Sequence, residues 1–502
     1  RAKLCGICRP AGHSPNFQRM SDSVMNRLEA LRPRIEAAGQ NHLLVHAESL
    51  TSDLAASFCQ RLESIDWEKV PDLVERFVVN RPPSTTEALL APSCVTADRA
   101  LEGRGSDLID RAATLERGES LIAEGKVAAF TVAGGQGTRL GWNGPKGTYP
   151  ASPVSGKPLF RLFAEQLLAA QRQYNCLIRW YIMTSKMNNE STRKFLLDNR
   201  CFGLDRTQIM LVEQGMMPTF DATTGHMLLE SPGVVAMSPD GHGGSFAALQ
   251  QSGALDQMQA RGVEVLSYFQ VDNPLVRAID PLLLGLHVNP AQSSAQFSSK
   301  TVQRAGPDEK VGVFCRIGDR IGVVEYSDLT SEQAQATDGQ GLLRFAAGNI
   351  AVHAIGVDFA QSIAKGGEKS LPWHRAEKKV PHVCPNSGEV IEPAVPNAVK
   401  LERFVFDALG QAEQPAILEV VRAEEFAPIK NATGLDSAQT SRQLQSDLYG
   451  QWLEQAGVSI PRKADGSVDA AIEISPLTAM TANDLTSLPL PDSLEPSEQL
   501  IL

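Results

Sequence analysis

The chain has 502 residues, of which 42% are hydrophobic and 21% are charged, and its formal net charge is −11. This length predicts two or three domains, and the composition is that of a folded globular protein. The acidic excess argues against a nucleic-acid-binding surface, and no apolar run approaches the roughly 18 residues of a membrane span, so we expect neither nucleic acid nor a membrane as a partner.

The eight cysteines are scattered along the chain, which predicts reduced thiols and a cytoplasmic location. Cys5 and Cys8 have the spacing of a redox or zinc motif. No second pair or His follows at zinc-site spacing, so we interpret this pair as a chance occurrence. Residues 1–19 precede Met20 and lack the apolar core of a signal peptide, and we interpret them as a non-native or disordered leader.

The first part of the chain predicts helices. Residues 24–79 carry apolar side chains at helical spacing, and we predict an N-terminal helical lobe over residues 20–107. A connector rich in proline and polar residues follows residue 82. A further helix over residues 107–125 then leads into the central region.

The densest motif of the chain is a glycine loop. Residues 127–133 have the composition of a buried parallel strand, and three glycines follow within residues 134–137. Glycines let the backbone adopt positive φ and approach a ligand closely, so that successive N–H groups can converge on phosphate oxygens. Arg139 and Lys146 place two cations beside this loop.

The loop differs from two common phosphate loops. A dinucleotide fingerprint has a glycine where Leu140 stands, and a Walker A loop has Gly-Lys-Ser/Thr, whereas Lys146 lies between Pro145 and Gly147. The loop is either a tight strand-to-helix turn with incidental charges or a nucleoside triphosphate site. We favour the triphosphate site because the motif is so dense.

Strands and helices alternate after the loop. Residues 159–174 and 188–197 have helical patterns, and residues 178–183 and 208–212 have strand patterns. This alternation predicts an α/β fold with a mixed, mainly parallel sheet and helices on both faces. Ligands of such folds bind at the carboxyl ends of the strands, where the glycine loop also lies.

Two further motifs lie at the start of a predicted helix and at the end of a predicted strand. The glycine-rich segment 238–245 opens a predicted helix over residues 246–261, whose N-terminus favours anions or hydroxyl groups. A predicted strand over residues 263–271 ends in Asp272 and Asn273. Asp272 is either a magnesium ligand, because Mg²⁺ binds few carboxylates together with phosphate oxygens and water, or a cap of the following turn.

A β-hairpin is predicted over residues 311–326. Glu325 interrupts its apolar pattern, and from the residues alone we favour a cross-strand pair with Arg316. Residues 347–350 predict a corner between a strand and a turn.

The C-terminal part contains two aromatic residues on one side of a predicted extended stretch, Phe404 and Phe406. Such a stripe is more often core than pocket wall. A strand over residues 418–421 and a helix over residues 437–456 follow. The tail after Thr481 is rich in Ser, Pro and Leu, and we expect it to be loosely held.

The order of these motifs carries a family resemblance. The segment Gly134-Gly135-Gln136-Gly137-Thr138-Arg139-Leu140-Gly141, followed by Pro145-Lys146, resembles the signature of the UDP-sugar pyrophosphorylases, above all the UDP-N-acetylglucosamine pyrophosphorylases. The resemblance recurs from about residue 121 to residue 477. It implies a glycosyltransferase-A-like catalytic domain, here residues 108–407, and a C-terminal lobe over residues 408–502 that supplies Lys430.

The resemblance also implies roles for individual residues. The residues implied to bind the nucleotide are Gly134, Gly135, Gln136, Gly137, Thr138, Gln214 and Gly241. Among these, the backbone of Gly135 and Gly241 and the side chain of Gln214 would recognise the uracil base, because an amide can pair with both a donor and an acceptor. Those implied to be catalytic, by holding phosphates, are Arg139, Lys146 and Lys430. Those implied to bind the sugar are His242, Gly312, Glu325, Tyr326, Asn349, Phe404 and Phe406. Asp272 would hold Mg²⁺, the implied cofactor.

The implied reaction is an in-line attack of a sugar 1-phosphate oxygen on the α-phosphorus of UTP, with pyrophosphate leaving. The attacking phosphate is already ionised, so no general base is needed. Catalysis then consists of positioning and of charge neutralisation by the cations and Mg²⁺. The partners would be UTP and a sugar 1-phosphate, and we expect a monomer or a weak homo-oligomer.

At one position the sequence departs from the pattern of the N-acetylglucosamine enzymes, and this difference bears on the identity of the sugar. His242 stands where the N-acetylglucosamine enzymes usually have Asn, and Gly-His-Gly resembles the corresponding turn of the UDP-glucose pyrophosphorylases. Other motifs, such as Ala-Gly-Asn-Ile and Phe-Val-Phe-Asp, are closer to the N-acetylglucosamine branch. N-acetylglucosamine 1-phosphate is therefore the leading substrate, and the alternative is glucose or galactose 1-phosphate or a broad sugar specificity.

Two other classes of protein are alternative hypotheses for this chain. A catalytically silent sugar-nucleotide-binding protein would keep the fold, but the joint presence of Arg139, Lys146, Asp272 and Lys430 argues against it. A phosphate-loop kinase or ATPase is disfavoured because Gly-Lys-Ser/Thr is absent.

Overall fold

The computed structural model describes residues 20–80, 88–102, 106–339, 341–367, 370–385 and 387–502. The predicted leader, with Cys5 and Cys8, lies outside the described residues. By its internal contacts the chain divides into two compact units. One comprises Arg1–Pro83, Met216–Ser238 and Trp373–Leu401, and the other comprises Ser84–Gly215, Pro239–Pro372 and Glu402–Leu502. The domain boundaries predicted at residues 107 and 407 stay a prediction.

Helices and strands alternate through most of the chain. The α-helices are α1 (Asp22–Ala37), α2 (Asn41–Glu48), α3 (Ser52–Glu63), α4 (Val70–Leu73), α5 (Arg111–Ala123), α6 (Leu159–Tyr174), α7 (Asn189–Asp198), α8 (Ser245–Gln251), α9 (Ala254–Ala260), α10 (Pro281–His287), α11 (Ser331–Gln335), α12 (Val357–Gly366), α13 (Arg422–Glu425) and α14 (Ala438–Gln455). Within the described part of the chain, no helix has the length and apolar character that crossing a bilayer requires.

The first strands are β1 (Leu89–Leu90), β2 (Cys94–Thr96), β3 (Ser106–Leu108), β4 (Val127–Val132), β5 (Arg179–Thr184), β6 (Ile209–Glu213), β7 (Met216–Pro218), β8 (Phe220–Asp221), β9 (Leu229–Ser231), β10 (Val234–Val235), β11 (Met237–Pro239) and β12 (Val265–Gln270). The later strands are β13 (Phe297–Gln303), β14 (Val313–Ile317), β15 (Arg320–Val324), β16 (Ala347–Gly356), β17 (His374–Lys378), β18 (His382–Val383), β19 (Val390–Ile391), β20 (Ala398–Glu402), β21 (Ala416–Glu419), β22 (Ala470–Glu473) and β23 (Glu498–Ile501).

The helical pattern predicted over residues 24–79 is confirmed. Helices α1 to α4 cover it, and the chain continues from α4 into a π-helical turn, Val74–Val79. The side chain of Ser21 caps α1 by accepting a hydrogen bond from the backbone N–H of Val24. These helices bury their apolar faces against side chains of β8, β9, β18 and β20 in a core of their own.

The large sheet has the strand order β3-β2-β21-β13-β16-β12-β4-β5-β6, with β1, β14 and β15 beside it. Along this order every neighbouring pair is parallel except those of β16, which is antiparallel to β13 and β12. The carboxyl ends of the other strands in this order therefore meet at one edge, together with the start of β16. The mainly parallel sheet is confirmed.

Helices cover both faces of this sheet, also as predicted. Alternate residues of β4 enter two different cores, because successive strand side chains point to opposite faces. Val127 and Ala129 pack with side chains of α5, α6 and α10. Ala128 and Phe130 pack with side chains of α8, α9 and α12. Burial on both faces explains why every residue of β4 except Thr131 is apolar.

Three local predictions were wrong. The helix predicted over residues 246–261 is divided into α8 and α9, because Gly253 has a φ of 74°. The predicted corner at residues 347–350 is the beginning of the continuous strand β16, whose irregularity lies at Ala351, with a φ of 55°. Phe406 lies in a 3₁₀ turn, Val405–Gln411, and is not extended.

The C-terminal tail is also held more firmly than predicted. Strand β23 pairs in parallel with β22, and the backbone N–H of Leu502 donates to the carbonyl oxygen of Glu473 at 2.9 Å. Leu485 and Leu494 are buried in a core with side chains of α14. The few leucines of a polar tail are sufficient to attach it because they enter this common core.

Candidate active site

The glycine loop after β4 depends on close packing rather than on unusual φ angles. None of its first three glycines has a positive φ, contrary to our expectation. A Cβ atom on Gly134 would lie 2.7 Å from Oε1 of Gln214, and one on Gly137 would lie 2.7 Å from Cβ of Trp142. A Cβ on Gly135 would meet no atom within 4 Å. Gly134 and Gly137 are therefore packed closely against other side chains, whereas Gly135 has open space beside it.

Trp142 braces this loop. Its backbone N–H donates to the carbonyl oxygen of Gly137 at 3.0 Å, and its indole N–H donates to Oγ1 of Thr148 at 2.8 Å. The backbone of Gln136 forms a bridge to that of Pro145. The two ends of the loop are thus joined, and the segment that carries Lys146 is fixed to it.

A buried amide, Asn188, joins the loops after β4 and β5. Its Nδ2 donates to the carbonyl oxygens of Ala133 at 2.9 Å and Gly135 at 3.2 Å, and its Oδ1 accepts from the N–H of Ser185 at 2.8 Å. Asn188 is fully buried. Sequence patterns did not single out this residue, although an asparagine at the start of a predicted helix was an available signal.

Lys146 and Asp272 meet at the shared strand edge. Nζ of Lys146 lies 3.5 Å from Oδ2 of Asp272, and both side chains are partly exposed, at 18% and 15%. The turn after β12 is capped by Asn273, whose Oδ1 accepts from the N–H of Leu275 at 3.2 Å. Asn273 therefore fills the capping role that was one alternative for Asp272. The carboxylate of Asp272 instead faces the ammonium group of Lys146.

The segment that carries Lys430 is fixed to the same strand end. The N–H of Ile429 donates to the carbonyl oxygen of Asp272 at 2.8 Å. Nδ2 of Asn273 donates to the carbonyl oxygen of Glu425 at 2.6 Å. Nζ of Lys430 lies 3.8 Å from Oδ2 of Asp436. The fold therefore brings the Lys430 backbone beside Asp272, although the two residues are far apart in sequence.

A buried charge network anchors this segment from behind. Lys300, which is fully buried in β13, contacts Oε2 of Glu425 and Oδ2 of Asp280, the latter at 2.5 Å. Nε of Arg277 lies 3.7 Å from Oε1 of Glu425. A buried carboxylate without cations would be strongly destabilising, so Glu425 and the chain after it are held in place. Sequence patterns did not single out Lys300, because its neighbours Ser299 and Thr301 are polar and its charge interrupts no apolar run.

Gln214 and Gly241 are adjacent, as the implied base site requires. Nε2 of Gln214 donates to the carbonyl oxygen of Gly241 at 2.6 Å, while Oε1 faces Gly134. His242 follows and stacks on Phe404, with ring centroids 5.2 Å apart, and its ring is tilted relative to that of Phe406, at a centroid distance of 5.5 Å. The three aromatic rings thus form one cluster directly after Gly241. Phe404 is partly buried, and Phe406 is buried in the core that also contains side chains of α8, α9 and α12, as the residue pattern by itself favoured.

The tautomer of a neutral His242 is set by the backbone. Nδ1 of the ring accepts a hydrogen bond from the N–H of Val405 at 3.1 Å. A nitrogen that accepts carries no proton, so the proton of the neutral ring is on Nε2. In the neutral ring, Nε2 is therefore the nitrogen that carries the proton.

Gly312, Glu325 and Asn349 also come together. The N–H of Asn349 donates to the carbonyl oxygen of Gly312 at 2.8 Å, and a Cβ on Gly312 would lie 3.1 Å from Oε1 of Glu325. The hairpin register pairs Arg316 with Ile321, so the predicted cross-strand pair with Glu325 is wrong.

Three of the implied site residues have exposed side chains. Tyr326 is 44% exposed, and Thr138 and Arg139 lie on the outer side of the glycine loop. Among the described residues, no group of three or more His, Cys, Asp or Glu side chains is arranged to hold a metal ion. Asp272 is a single carboxylate beside the loop, which fits an ion that takes its other ligands from phosphate and water.

Comparisons with known proteins agree with this geometry. A family model described as UTP–glucose-1-phosphate uridylyltransferase matches residues 99–451. The chain is 34% identical over 482 residues to the UDP-N-acetylglucosamine diphosphorylase 2 of Arabidopsis thaliana, with 92% of this chain and 91% of that protein covered. It is 36% identical over 484 residues to the UDP-N-acetylhexosamine pyrophosphorylase-like protein 1 of Homo sapiens, with 91% and 93% covered.

A solved structure has a similar fold. The uridine diphosphate N-acetylglucosamine pyrophosphorylase from Trypanosoma brucei, in complex with an inhibitor, matches with a TM-score of 0.74 and 24% sequence identity. The match covers 95% of each chain. It therefore extends over both compact units.

We predict that Asn188→Asp lowers the free energy of unfolding by roughly 2–4 kcal/mol, because Asp cannot donate to the carbonyl oxygens of Ala133 and Gly135. Urea denaturation of both proteins measures this. Asn199→Asp is the matched control: its side chain is exposed and donates only to the carbonyl oxygen of Phe195, so its change should stay within about 1 kcal/mol. Equal losses in the two variants would contradict the role of Asn188.

Proposed function

The chain belongs to the UTP–glucose-1-phosphate uridylyltransferase family, and from this premise we propose that it transfers the uridylyl group of UTP to N-acetylglucosamine 1-phosphate. The products are UDP-N-acetylglucosamine and pyrophosphate. The observation that carries the proposal is the convergence at one sheet edge of the glycine loop, the Lys146–Asp272 contact and the segment bearing Lys430.

The proposed chemistry follows from charge. An oxygen of the sugar 1-phosphate attacks the α-phosphorus of UTP, the bond to the β-phosphate oxygen breaks, and pyrophosphate leaves with the bonding electrons. Two anions must approach each other and negative charge grows on the leaving group. Arg139, Lys146 and Lys430 would neutralise this charge, and the glycine loop would orient the triphosphate.

Asp272 would hold Mg²⁺ together with phosphate oxygens. When bound, the ion supplies positive charge to the phosphates. Lys146 is close enough to Asp272 to form an ion pair with its carboxylate. The phosphates would then compete with Asp272 for Lys146, so that this cation is available beside the reacting groups.

The choice of sugar rests on relatives and on the aromatic cluster. Curated relatives named for N-acetylglucosamine or N-acetylhexosamine share about a third of the sequence over most of the chain. His242, which stacks on Phe404, makes glucose 1-phosphate the second candidate, because Gly-His-Gly resembles the corresponding turn of the UDP-glucose pyrophosphorylases. An imidazole and an amide also differ in their donor and acceptor geometry.

The direct test is pyrophosphate release from UTP and Mg²⁺ with N-acetylglucosamine, N-acetylgalactosamine, glucose and galactose 1-phosphates. Preference for an N-acetylated sugar supports the proposal. Preference for glucose or galactose would replace the sugar and keep the reaction. Release with none of them would contradict the proposed reaction and favour a silent sugar-nucleotide-binding protein.

We predict that Lys146→Ala lowers kcat by roughly 10²–10³-fold, because its charge matters most when negative charge shifts toward pyrophosphate. The affinity for the UDP-sugar, measured by calorimetry, should fall much less. Lys194→Ala is the control, since Lys194 is 73% exposed and pairs with Asp198 at 2.6 Å, and it should leave both values unchanged. Equal losses in kcat and affinity after Lys146→Ala would contradict a role in the transition state.

We predict that His242→Asn shifts the kcat/KM ratio of N-acetylglucosamine 1-phosphate to glucose 1-phosphate toward the N-acetylated sugar by about tenfold. The amide can both donate and accept, and its smaller side chain leaves more room beside Phe404. His226→Asn, a histidine outside this cluster, should leave the ratio unchanged. The same ratio in wild type and His242→Asn would remove His242 from the account of specificity.

A further inference from the structure

A buried ion pair without a role in the proposed chemistry packs against the turn that carries Gly241 and His242. Nη2 of Arg403 donates to Oδ2 of Asp240 at 2.9 Å. Asp240 is 4% exposed. Burial raises the pKa of Asp240, and the charge and hydrogen bond of Arg403 oppose this rise. Because an unpaired carboxylate at this buried position would be destabilising, the guanidinium of Arg403 stabilises the charge of Asp240.

Glycines make room for this carboxylate. A Cβ on Gly215 would lie 2.7 Å from Oδ2 of Asp240, and a Cβ on Gly244 would lie 2.0 Å from Oδ1. Gly215 follows Gln214, and Gly244 closes the 3₁₀ turn that His242 begins. The chain thus packs two backbone segments directly onto Asp240, so that the position of its side chain determines the spacing between them.

Backbone hydrogen bonds complete the connection. The N–H of Asp240 donates to the carbonyl oxygen of Gly215 at 3.1 Å, and the N–H of Arg403 donates to the carbonyl oxygen of Asp240 at 2.9 Å. The N–H of Gly243 donates to the carbonyl oxygen of Arg403 at 2.8 Å. The ion pair and these bonds hold together three segments, residues 214–215, 240–244 and 403–406.

Each of these segments contributes to the site. The first carries Gln214, the second carries Gly241 and His242, and the third carries Phe404 and Phe406. A Cβ on Gly241 would lie 2.3 Å from the carbonyl oxygen of Arg403. A displacement of Arg403 would therefore move the backbone of Gly241 and the ring of Phe404 together.

We propose that the Asp240–Arg403 ion pair is a positioning element that couples base recognition by Gln214 and Gly241 to the aromatic cluster of the sugar pocket, and so contributes to sugar selectivity. This inference rests on the proposed function. Neither residue touches the reacting atoms in this account. Their effect is transmitted through Gly241, His242 and Phe404.

A purely structural ion pair is the competing explanation, and it makes a different prediction. It would stabilise the fold without affecting the choice of sugar. The chain offers a close control for this case in Arg375, whose side chain is 13% exposed, like that of Arg403. Arg375 pairs with Glu377 at 2.8 Å and also donates to the carbonyl oxygen of Phe77, and neither partner is an implied site residue.

The experiment compares Arg403→Gln, Arg403→Lys and Arg375→Gln with wild type. For each protein it measures the unfolding midpoint, KM for UTP and the kcat/KM ratio of N-acetylglucosamine 1-phosphate to glucose 1-phosphate. We expect Arg403→Gln to raise KM for UTP and to change the sugar ratio by about tenfold, whereas Arg403→Lys, which keeps the charge, should stay within about threefold of wild type. Arg375→Gln should lower the midpoint and leave the ratio unchanged.

A folded Arg403→Gln with the sugar ratio and KM of wild type would overturn the inference. If that variant does not fold, Asp240→Asn provides the same comparison, because it removes the charge and keeps the shape of the side chain. Wild type without pyrophosphate release would contradict the proposed function instead. In that case the ratio of UDP-N-acetylglucosamine to UDP-glucose affinities, measured by calorimetry, tests the ion pair separately.

Discussion

The need to satisfy buried backbone groups where parallel strands end organises this site. Beyond the last ladder bond, N–H and C=O groups lose their strand partners and must find others in the loops. Three amide side chains meet much of this need: Asn188 after β5, Gln214 after β6, and Asn273 after β12. Each amide bonds to the main chain of another loop. The loops are therefore connected to one another, and the implied ligand contacts rest on this framework.

Charge is arranged around the same edge in an acidic protein. Lys146 and Lys430 each face a carboxylate at 3.5–3.8 Å while remaining partly exposed. Pairs of this kind are weak, so an arriving polyanion could take over the lysines at low cost. Lys300 is different because it is fully buried between Asp280 and Glu425. The exposed lysines suit ligand binding, and the buried one stabilises the segment that presents Lys430.

The roles of the individual site residues and the use of Mg²⁺ stay predictions, as do the domain boundaries, the cytoplasmic location and the monomeric or weakly oligomeric state. The geometry supports some of them in specific ways. Asp272 faces Lys146 while Asn273 caps the turn, and Gly312, Glu325 and Asn349 are neighbours.

Sequence patterns were sufficient to predict the mainly parallel α/β sheet, the helical N-terminal segment and the strand ends where the motifs lie, because apolar periodicity and glycine placement are local signals. Which distant residues meet depends on three-dimensional packing. The Asp240–Arg403 pair, the bonds of Asn273 to the Lys430 segment and the attachment of the C-terminal tail all join residues far apart in the chain. Such contacts depend on how elements pack in three dimensions, and no local pattern specifies them.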